Sequence, residues 1–302
     1  MPGDWVSIAV LAAAVLGVVN IIDSHLISRR IPSLRAYLLL IGLFVLLYGL
    51  ILFCLFPLPE GVGIWALMVA LASGVLRTTA LAIMLYTMKR EEVSRVIPVV
   101  YTYPIFVAIM AVLLLGETLG YLEWIAIIIV VAGAVIISAR WDRGSPAAWL
   151  GMSFLLLVGS SLLMAMADVT AKYALTYISF ENMYWITSFC MSGIFLLISL
   201  RPHVIKELGN IKQRKSVITL VASNETLAVV GAVLLFWAME RGPVSLVSTV
   251  VSSRPIFVVI FALILSRVSP MFLQWQPGKA MLVLRLIAIT MIVGGIAIIY
   301  LT

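Results

Sequence analysis

Three ionisable residues lie near the middle of long apolar segments of this chain, namely Arg77, Glu225 and Arg254. A charge at the centre of a bilayer costs about 2.5–3.5 kcal/mol on insertion scales, so each residue needs a partner or a cavity. One carboxylate cannot neutralise two guanidinium groups, and the planar fork of arginine fits a carboxylate or a phosphate. The three residues predict a cavity for a ligand with an anionic group. A buried Arg–Glu pair that only holds the structure together is the alternative.

Glu225 permits two roles at such a position. If burial dominates, its carboxyl group can take up a proton on one side of a membrane and release it on the other. If the two arginines dominate, the carboxylate stays ionised and serves as their counter-ion. The counter-ion role is slightly favoured, because an arginine without a partner in lipid is the costlier arrangement.

Polar and proline residues nearby are further candidates for the site. Tyr101, Tyr103 and Asn224 are candidates to line the same cavity, and ordinary helix packing explains the tyrosines equally well. Pro104 and Pro255 each interrupt an apolar segment and remove the amide donor for a carbonyl four residues earlier. These prolines predict either hinges or simple kinks.

Two acidic residues near predicted helix ends suggest gates. Asp23 is followed by His25, and Asp168 is followed by Lys172. Ion pairs that form and break in turn at the two faces would open and close a central cavity. Capped or water-facing helix ends are the simpler explanation for the same residues.

Enzyme chemistry finds little support in the sequence. His25 and His203 are the only histidines, and no HExxH motif, paired cysteine ligands or phosphate loop is present. Asp23, Ser24 and His25 are residue types of a catalytic triad, but neighbours on a helix point about 100° apart. We therefore predict no enzyme, no catalytic residue, no cofactor and no metal site.

The composition is typical of an integral membrane protein. The chain is 64% hydrophobic and 11% charged, which is too little polar residue to cover a water-soluble protein of 302 residues. Its net charge of +7 comes from short loops beside apolar segments, so we predict no nucleic-acid partner. Ten segments are long enough to cross a bilayer, at residues 5–26, 34–56, 63–88, 93–115, 119–139, 147–167, 180–200, 217–239, 244–265 and 281–301.

The stretch from Met88 to Val107 occurs twice in the chain. It returns without a gap from Met239 to Val258, with identical residues at 11 of 20 positions and an offset of 151. The offset is half the chain length, so we predict two copies of one five-helix module, at residues 1–143 and 144–302.

An odd number of helices per module inverts the second copy in the membrane. In this arrangement 15 Lys and Arg residues fall on one face, and Lys172 and Arg241 fall on the other. Because basic loops stay in the cytoplasm, we predict that the basic face is cytoplasmic and that both termini lie outside.

The module resembles the EamA family of the drug/metabolite transporter superfamily. Pro104, the run Leu115-Gly-Glu-Thr-Leu119 and Gly133 match the family pattern in the first copy. Pro255 and Gly295 match in the second, where Ser266-Arg267 replaces the usual Gly-Glu. The resemblance implies a ten-helix bundle with a substrate cavity between its halves and secondary transport by alternating access.

The expected function is therefore multi-pass secondary transport of a small organic metabolite with an anionic group, in the plasma (cytoplasmic) membrane. A flippase for a lipid phosphate or lipid-linked sugar is the alternative, and an intramembrane enzyme is the third hypothesis. The partners expected are the substrate, the lipid bilayer, and protons or a counter-substrate; a homodimer is compatible with the sequence. The family alone does not name a substrate.

Overall fold

The computed structural model describes residues 4–90, 93–138, 152–209, 213–268 and 279–302, and all regular elements in these ranges are helices. A π-helix, Leu26–Arg30, follows the first α-helix. The thirteen α-helices are α1 (Asp4–His25), α2 (Leu34–Leu55), α3 (Ile64–Arg90), α4 (Val93–Val100), α5 (Tyr103–Leu115), α6 (Tyr121–Ser138), α7 (Met152–Ala174), α8 (Phe180–Ser199), α9 (Pro202–Gly209), α10 (Arg214–Arg241), α11 (Val244–Val251), α12 (Arg254–Val268) and α13 (Lys279–Leu301).

The described residues contain ten helical segments that are long and apolar enough to span a membrane. This confirms the predicted all-helical, multi-pass fold. Eight of the segments lie in single helices, while the fourth (Pro98–Leu115) and the ninth (Val244–Phe261) each cross a break between two helices. The two breaks fall in the repeated stretch of the sequence.

The sixth and eighth spans are longer than the sequence indicates. Helix α7 continues to Ala174, seven residues beyond the predicted end at residue 167, because Asp168 and Lys172 find polar partners inside the protein. Helix α10 begins at Arg214 because its first turn, with Arg214 and Lys215, is exposed. The predicted boundary between the modules lies in residues 139–151, outside the described residues.

Both broken spans have a proline at the second position of the later helix. Pro104 follows Tyr103 at the start of α5, and Pro255 follows Arg254 at the start of α12. The first turn of a helix does not use its amide groups, so a proline there costs no internal hydrogen bond. Before each proline lie two turn residues, 101–102 and 252–253, which start the new helix in the interior of the bundle.

The helices pack as an inverted repeat requires. Helix α1 of the first copy packs along α10 of the second, and α3 packs along α7 in the corresponding way. The pairs α2–α8 and α6–α13 each join equivalent helices of the two copies. Exchanging the two copies leaves this set of interfaces unchanged, which is the pattern of a pseudo-twofold axis.

Glycines make close contacts where α6 crosses α13. A Cβ added to Gly133 of α6 would lie 2.9 Å from the Ala288 carbonyl oxygen of α13. A Cβ on Gly295 of α13 would lie 2.5 Å from Val130 Cγ2 of α6. The backbones therefore approach so closely that only glycine fits without rearrangement, as is common where membrane helices cross.

Candidate functional site

Arg77 of α3 forms an ion pair with Asp168 of α7. The Arg77 Nη2 atom lies 2.7 Å from Asp168 Oδ1, and their side chains are 15% and 2% exposed. The Ser248 hydroxyl of α11 donates to Asp168 Oδ2 at 2.7 Å. The guanidinium carbon of Arg77 also lies 5.1 Å from the ring centroid of Phe236, within the range of a cation–π contact. Asp168 thus neutralises Arg77 and is itself well hydrogen-bonded.

Arg254 has no comparable partner. It forms no hydrogen bond or ion pair with the residues that the structure describes, and its Nε atom is buried without an acceptor. Two buried tyrosines interact with it electrostatically, Tyr101 and Tyr103. Tyr103 also interacts with Arg77 and Asp168. We call Arg77, Asp168, Ser248, Tyr103 and Arg254 the arginine cluster, and its described charges sum to one positive charge.

A second polar cluster lies between α1, α2 and α10. The Tyr37 hydroxyl and the Asn224 side-chain amide both donate to Asp23 Oδ1, each at 2.5 Å. Glu225, which is 4% exposed, interacts electrostatically with Asp23. Asn224 is fully buried, and its Oδ1 atom has no hydrogen-bond donor among the residues that the structure describes. We call Asp23, Tyr37, Asn224 and Glu225 the carboxyl cluster.

The structure separates residues that the sequence analysis grouped together. Phe236, on which Arg77 lies, is three turns from Glu225 on the same helix, about 16 Å along the axis. The counter-ion of Arg77 is Asp168, so the expectation that Glu225 fills this role is wrong. Arg77 and Arg254 do approach a common centre, because Tyr103 interacts with both.

The two predicted gate pairs also have different partners in the structure. Asp168 is buried inside α7 and pairs with Arg77, while Lys172 donates to the carbonyl oxygens of Met239, Glu240 and Gly242 at 2.6, 3.3 and 2.9 Å. In this structure the Asp168 and Lys172 side chains therefore have separate partners, and the gate at these residues stays a prediction. Asp23 accepts from Tyr37 and Asn224, and Arg30 donates to His25 Nε2 at 3.3 Å. The gate at Asp23 and His25 also stays a prediction.

Glu117 has a role that the sequence did not reveal. Its carboxylate accepts hydrogen bonds from the Val244 amide at 2.7 Å, the Ser245 amide at 3.3 Å and the Ser245 hydroxyl at 2.5 Å. It thus caps the N-terminus of α11, where free amides and the helix dipole favour a negative charge. Lys172 binds carbonyl oxygens at the end of α10, and Glu117 binds the start of α11, so the two residues hold the α10–α11 turn at residues 242–243 from its two ends.

The clusters lie at corresponding interfaces of the two copies. The arginine cluster is centred on the α3–α7 contact and the carboxyl cluster on the α1–α10 contact. Each cluster takes side chains from both copies. Polar groups that join two repeats inside a membrane are typical of the binding and coupling sites of transporters.

Family comparison agrees with this architecture. The model of the EamA-like transporter family matches residues 4–139 and again residues 151–301. The chain belongs to this family. EamA proteins are membrane transporters of the drug/metabolite transporter superfamily, and the two matches correspond to the two five-helix copies. A comparison with curated proteins found no match.

A solved structure gives an independent view of the EamA fold. The structure, described as "Crystal structure of protein", has a TM-score of 0.71 with this chain at 16% sequence identity. The superposition covers 97% of this chain and 95% of the other. At 16% identity the likeness shows a shared fold and carries no information on the two polar clusters.

Proposed function

We propose that this EamA-like transporter moves a small organic metabolite bearing a carboxylate or phosphate group, and that Arg254 binds this group. The observation that carries the proposal is the guanidinium of Arg254 at the break between α11 and α12, which forms no ion pair or hydrogen bond within the described ranges of the chain. A charge inside a membrane without a partner is costly, and an anionic ligand supplies the missing partner.

The surroundings of Arg254 support an anion and disfavour a cation. Asp168 is the acidic member of the arginine cluster, and Arg77 and Ser248 already occupy its two oxygens. Tyr101 and Tyr103 flank Arg254 and offer hydroxyl donors or ring faces to a ligand. A cationic substrate would meet the net positive charge of this cluster.

The repeat supports alternating access as the mechanism of this proposed transport. The two interfaces α1–α10 and α3–α7 are exchanged by the pseudo-twofold axis, so loosening one while tightening the other would move the opening from one face to the other. Pro104 and Pro255 stay our predicted hinges, because both lie at interruptions where the backbone can bend without breaking helical hydrogen bonds.

The membrane and orientation belong to the same proposal. The basic loops lie in the cytoplasm and both termini lie outside, which the charge bias between the two faces supports. A membrane-impermeant label on intact cells should reach tags at both termini and miss a cysteine replacing Lys206. Labelling of Lys206→Cys alone would overturn the orientation.

Ligand-induced stabilisation tests the proposed substrate class. The melting temperature of the purified protein is measured with a library of organic carboxylates and phosphates and with their neutral analogues. Because a ligand that binds only the folded state raises its stability, we expect an anion to raise the melting temperature. Arg254→Gln should abolish this rise, whereas Arg214→Gln, a matched change at an exposed arginine in the first turn of α10, should keep it. An equal rise in Arg254→Gln, or a rise with cations only, would contradict the proposal.

A further inference from the structure

Helix α9 lies between the spans α8 and α10, at the basic face of the protein, and is fixed to the first copy. The Val204 side chain is fully buried in a cluster that contains Leu26 and Val217. The Ser33 hydroxyl, at the start of α2, donates to Glu207 Oε2 at 2.5 Å. An apolar contact and a hydrogen bond thus hold one side of α9 in a defined position.

A short turn joins α8 to α9 at the surface of the membrane. The span in α8 ends at Ser199, and α9 begins at Pro202. The Arg201 carbonyl oxygen accepts from the Val204 and Ile205 amides at 3.0 and 3.2 Å, so the first turn of α9 follows the span directly. Residues that come directly after a span lie at the depth of the lipid headgroups. Arg201 and the start of α9 therefore lie in the headgroup layer.

The other side of α9 forms a cavity with the end of α8. The cavity has a volume of about 440 Å³ and is lined by Leu200, Arg201, Pro202, Ile205 and Lys206. This volume is in the range of small-ligand sites. Leu200 and Ile205 are 62% and 54% exposed, so the described part of the chain leaves the apolar wall of the cavity uncovered.

The cavity carries two positive charges. Arg201 and Lys206 are both exposed, and none of the described residues that line the cavity is acidic. Glu207, the one acid in the sequence of α9, accepts from Ser33 on the side that contacts α2. A guanidinium fork and an ammonium group are the side-chain groups that bind phosphate. The charge of the cavity therefore suits an anionic headgroup.

The apolar wall of the cavity continues onto α8. Leu197 lies three residues before Leu200 in the last turn of the span and is 82% exposed. Exposed apolar residues of a span contact the acyl chains of the bilayer. A phospholipid can therefore use both parts of the cavity, with its phosphate at the two cations and an acyl chain on the leucines. A water-soluble phosphate compound would contact only the charged part.

We propose that the cavity between α8 and α9 is a binding site for an anionic phospholipid. The phosphate of the lipid contacts Arg201 and Lys206, and its acyl chain lies on the exposed leucines at the end of α8. Basic residues close to the bilayer surface attract anionic lipids, and a cavity with a defined shape selects one of them. The site is separate from both polar clusters, so it goes beyond the proposed transport function.

Native mass spectrometry tests the site with three probes. The purified full-length protein in a neutral detergent is mixed with phosphatidylglycerol, which is anionic, or with phosphatidylcholine, which carries the same acyl chains but no net charge. Glycerol phosphate, the third probe, has the phosphate without acyl chains. We expect the first phosphatidylglycerol to bind about tenfold more tightly than the first phosphatidylcholine. Glycerol phosphate at an equal concentration should not displace it.

Two double variants with the same change in net charge locate the site. Arg201→Gln/Lys206→Gln should weaken the binding of phosphatidylglycerol by about tenfold or more. Arg214→Gln/Lys215→Gln removes two exposed basic residues outside the cavity and should keep the binding within about twofold of the wild type. Ile205→Ser should also weaken the binding, because it removes part of the apolar wall. All these residues are exposed, so we expect the melting temperature of each variant in the same detergent to match the wild type.

Four results would refute the lipid site. Equal affinity for phosphatidylglycerol and phosphatidylcholine would show that the charge of the headgroup is not recognised. Equal losses in the two double variants would show that only the net charge of the protein matters. Wild-type binding by Arg201→Gln/Lys206→Gln would place the lipid elsewhere, and displacement by glycerol phosphate would assign the cavity to a soluble compound. The measurement needs no transported substrate, so it is independent of the role of Arg254.

Discussion

The α3–α7 and α1–α10 interfaces are related by the repeat but differ in their charges. The first contains an ion pair, Arg77–Asp168, in which a serine completes the coordination of the carboxylate. The second contains two acids, Asp23 and Glu225, with an amide and a phenol as their hydrogen-bonding neighbours. One interface thus pairs its acid with a cation, while the other holds two acids that form no ion pair with the described residues.

The difference arises from a few substitutions between the copies. At the repeat offset of 151, Glu225 of α10 corresponds to Gly74 of α3, and Arg77 corresponds to Ala228. Gly74 packs so tightly that an added Cβ would lie 2.9 Å from Cys190 Sγ. At this offset each copy carries its ionisable residue at a different position of the corresponding helices. Two inverted copies can therefore have the same helix arrangement but different ionisable residues.

Breaking the ion pair should have the largest effect on stability. Arg77→Gln or Asp168→Asn would leave a buried charge without its partner, which costs about 3–5 kcal/mol. We expect a large fall in the melting temperature of each single variant, measured on purified protein in detergent. The double variant should recover much of the loss, because it leaves neither charge behind. A double variant less stable than both single variants would refute the ion pair.

The caps of the α10–α11 turn should have an intermediate effect. Glu117→Ala removes the acceptor for two amides and one hydroxyl at the start of α11, and the loss of such a cap costs about 0.5–2 kcal/mol. Glu60→Ala, in an exposed loop, is the matched control and should leave the melting temperature unchanged. Equal melting temperatures of the two variants would show that Glu117 does not stabilise the turn.

Neutralising one acid of the carboxyl cluster should change the stability of the protein least. Any change should be an increase, unlike the losses expected for the two preceding sets of variants. Glu225→Gln removes one of two adjacent negative charges, so it should leave the stability within about 1 kcal/mol of the wild type or raise it. Asp168→Asn replaces an acid by an amide in the other interface and should destabilise. If both variants lose stability equally in thermal unfolding, the contrast between the interfaces is wrong.

Much of the fold could be predicted because its signals are local. Each span is a long, mainly apolar run, and the repeat places the same proline just after the break in both copies. The partner of Arg77 could not be predicted in this way. Asp168 lies 91 residues away, and only the packing of α3 on α7 brings it to Arg77 in preference to Glu225.

In the candidate site, too, the sequence indicated single residues but not their distant partners. The sequence singled out Arg254, Tyr101, Tyr103, Asn224 and Glu225 because polar residues are rare inside spans. It missed that Glu117 caps α11, since their hydrogen bonds connect residues about 127 positions apart. The sequence also predicted a gate at Asp168 and Lys172, because the two residues lie close together along one helix. In the structure Asp168 binds Arg77, and Lys172 binds carbonyl oxygens at the end of α10.

Transport itself tests the central claim most directly. An anion that stabilises the wild type is loaded into vesicles with purified protein, and its exchange with labelled anion outside is measured. The account predicts exchange by the wild type and by Arg214→Gln, and its loss in Arg254→Gln, with partial recovery in Arg254→Lys because the charge returns without the planar fork. Exchange by Arg254→Gln at the wild-type rate would contradict the assignment of the anion to Arg254.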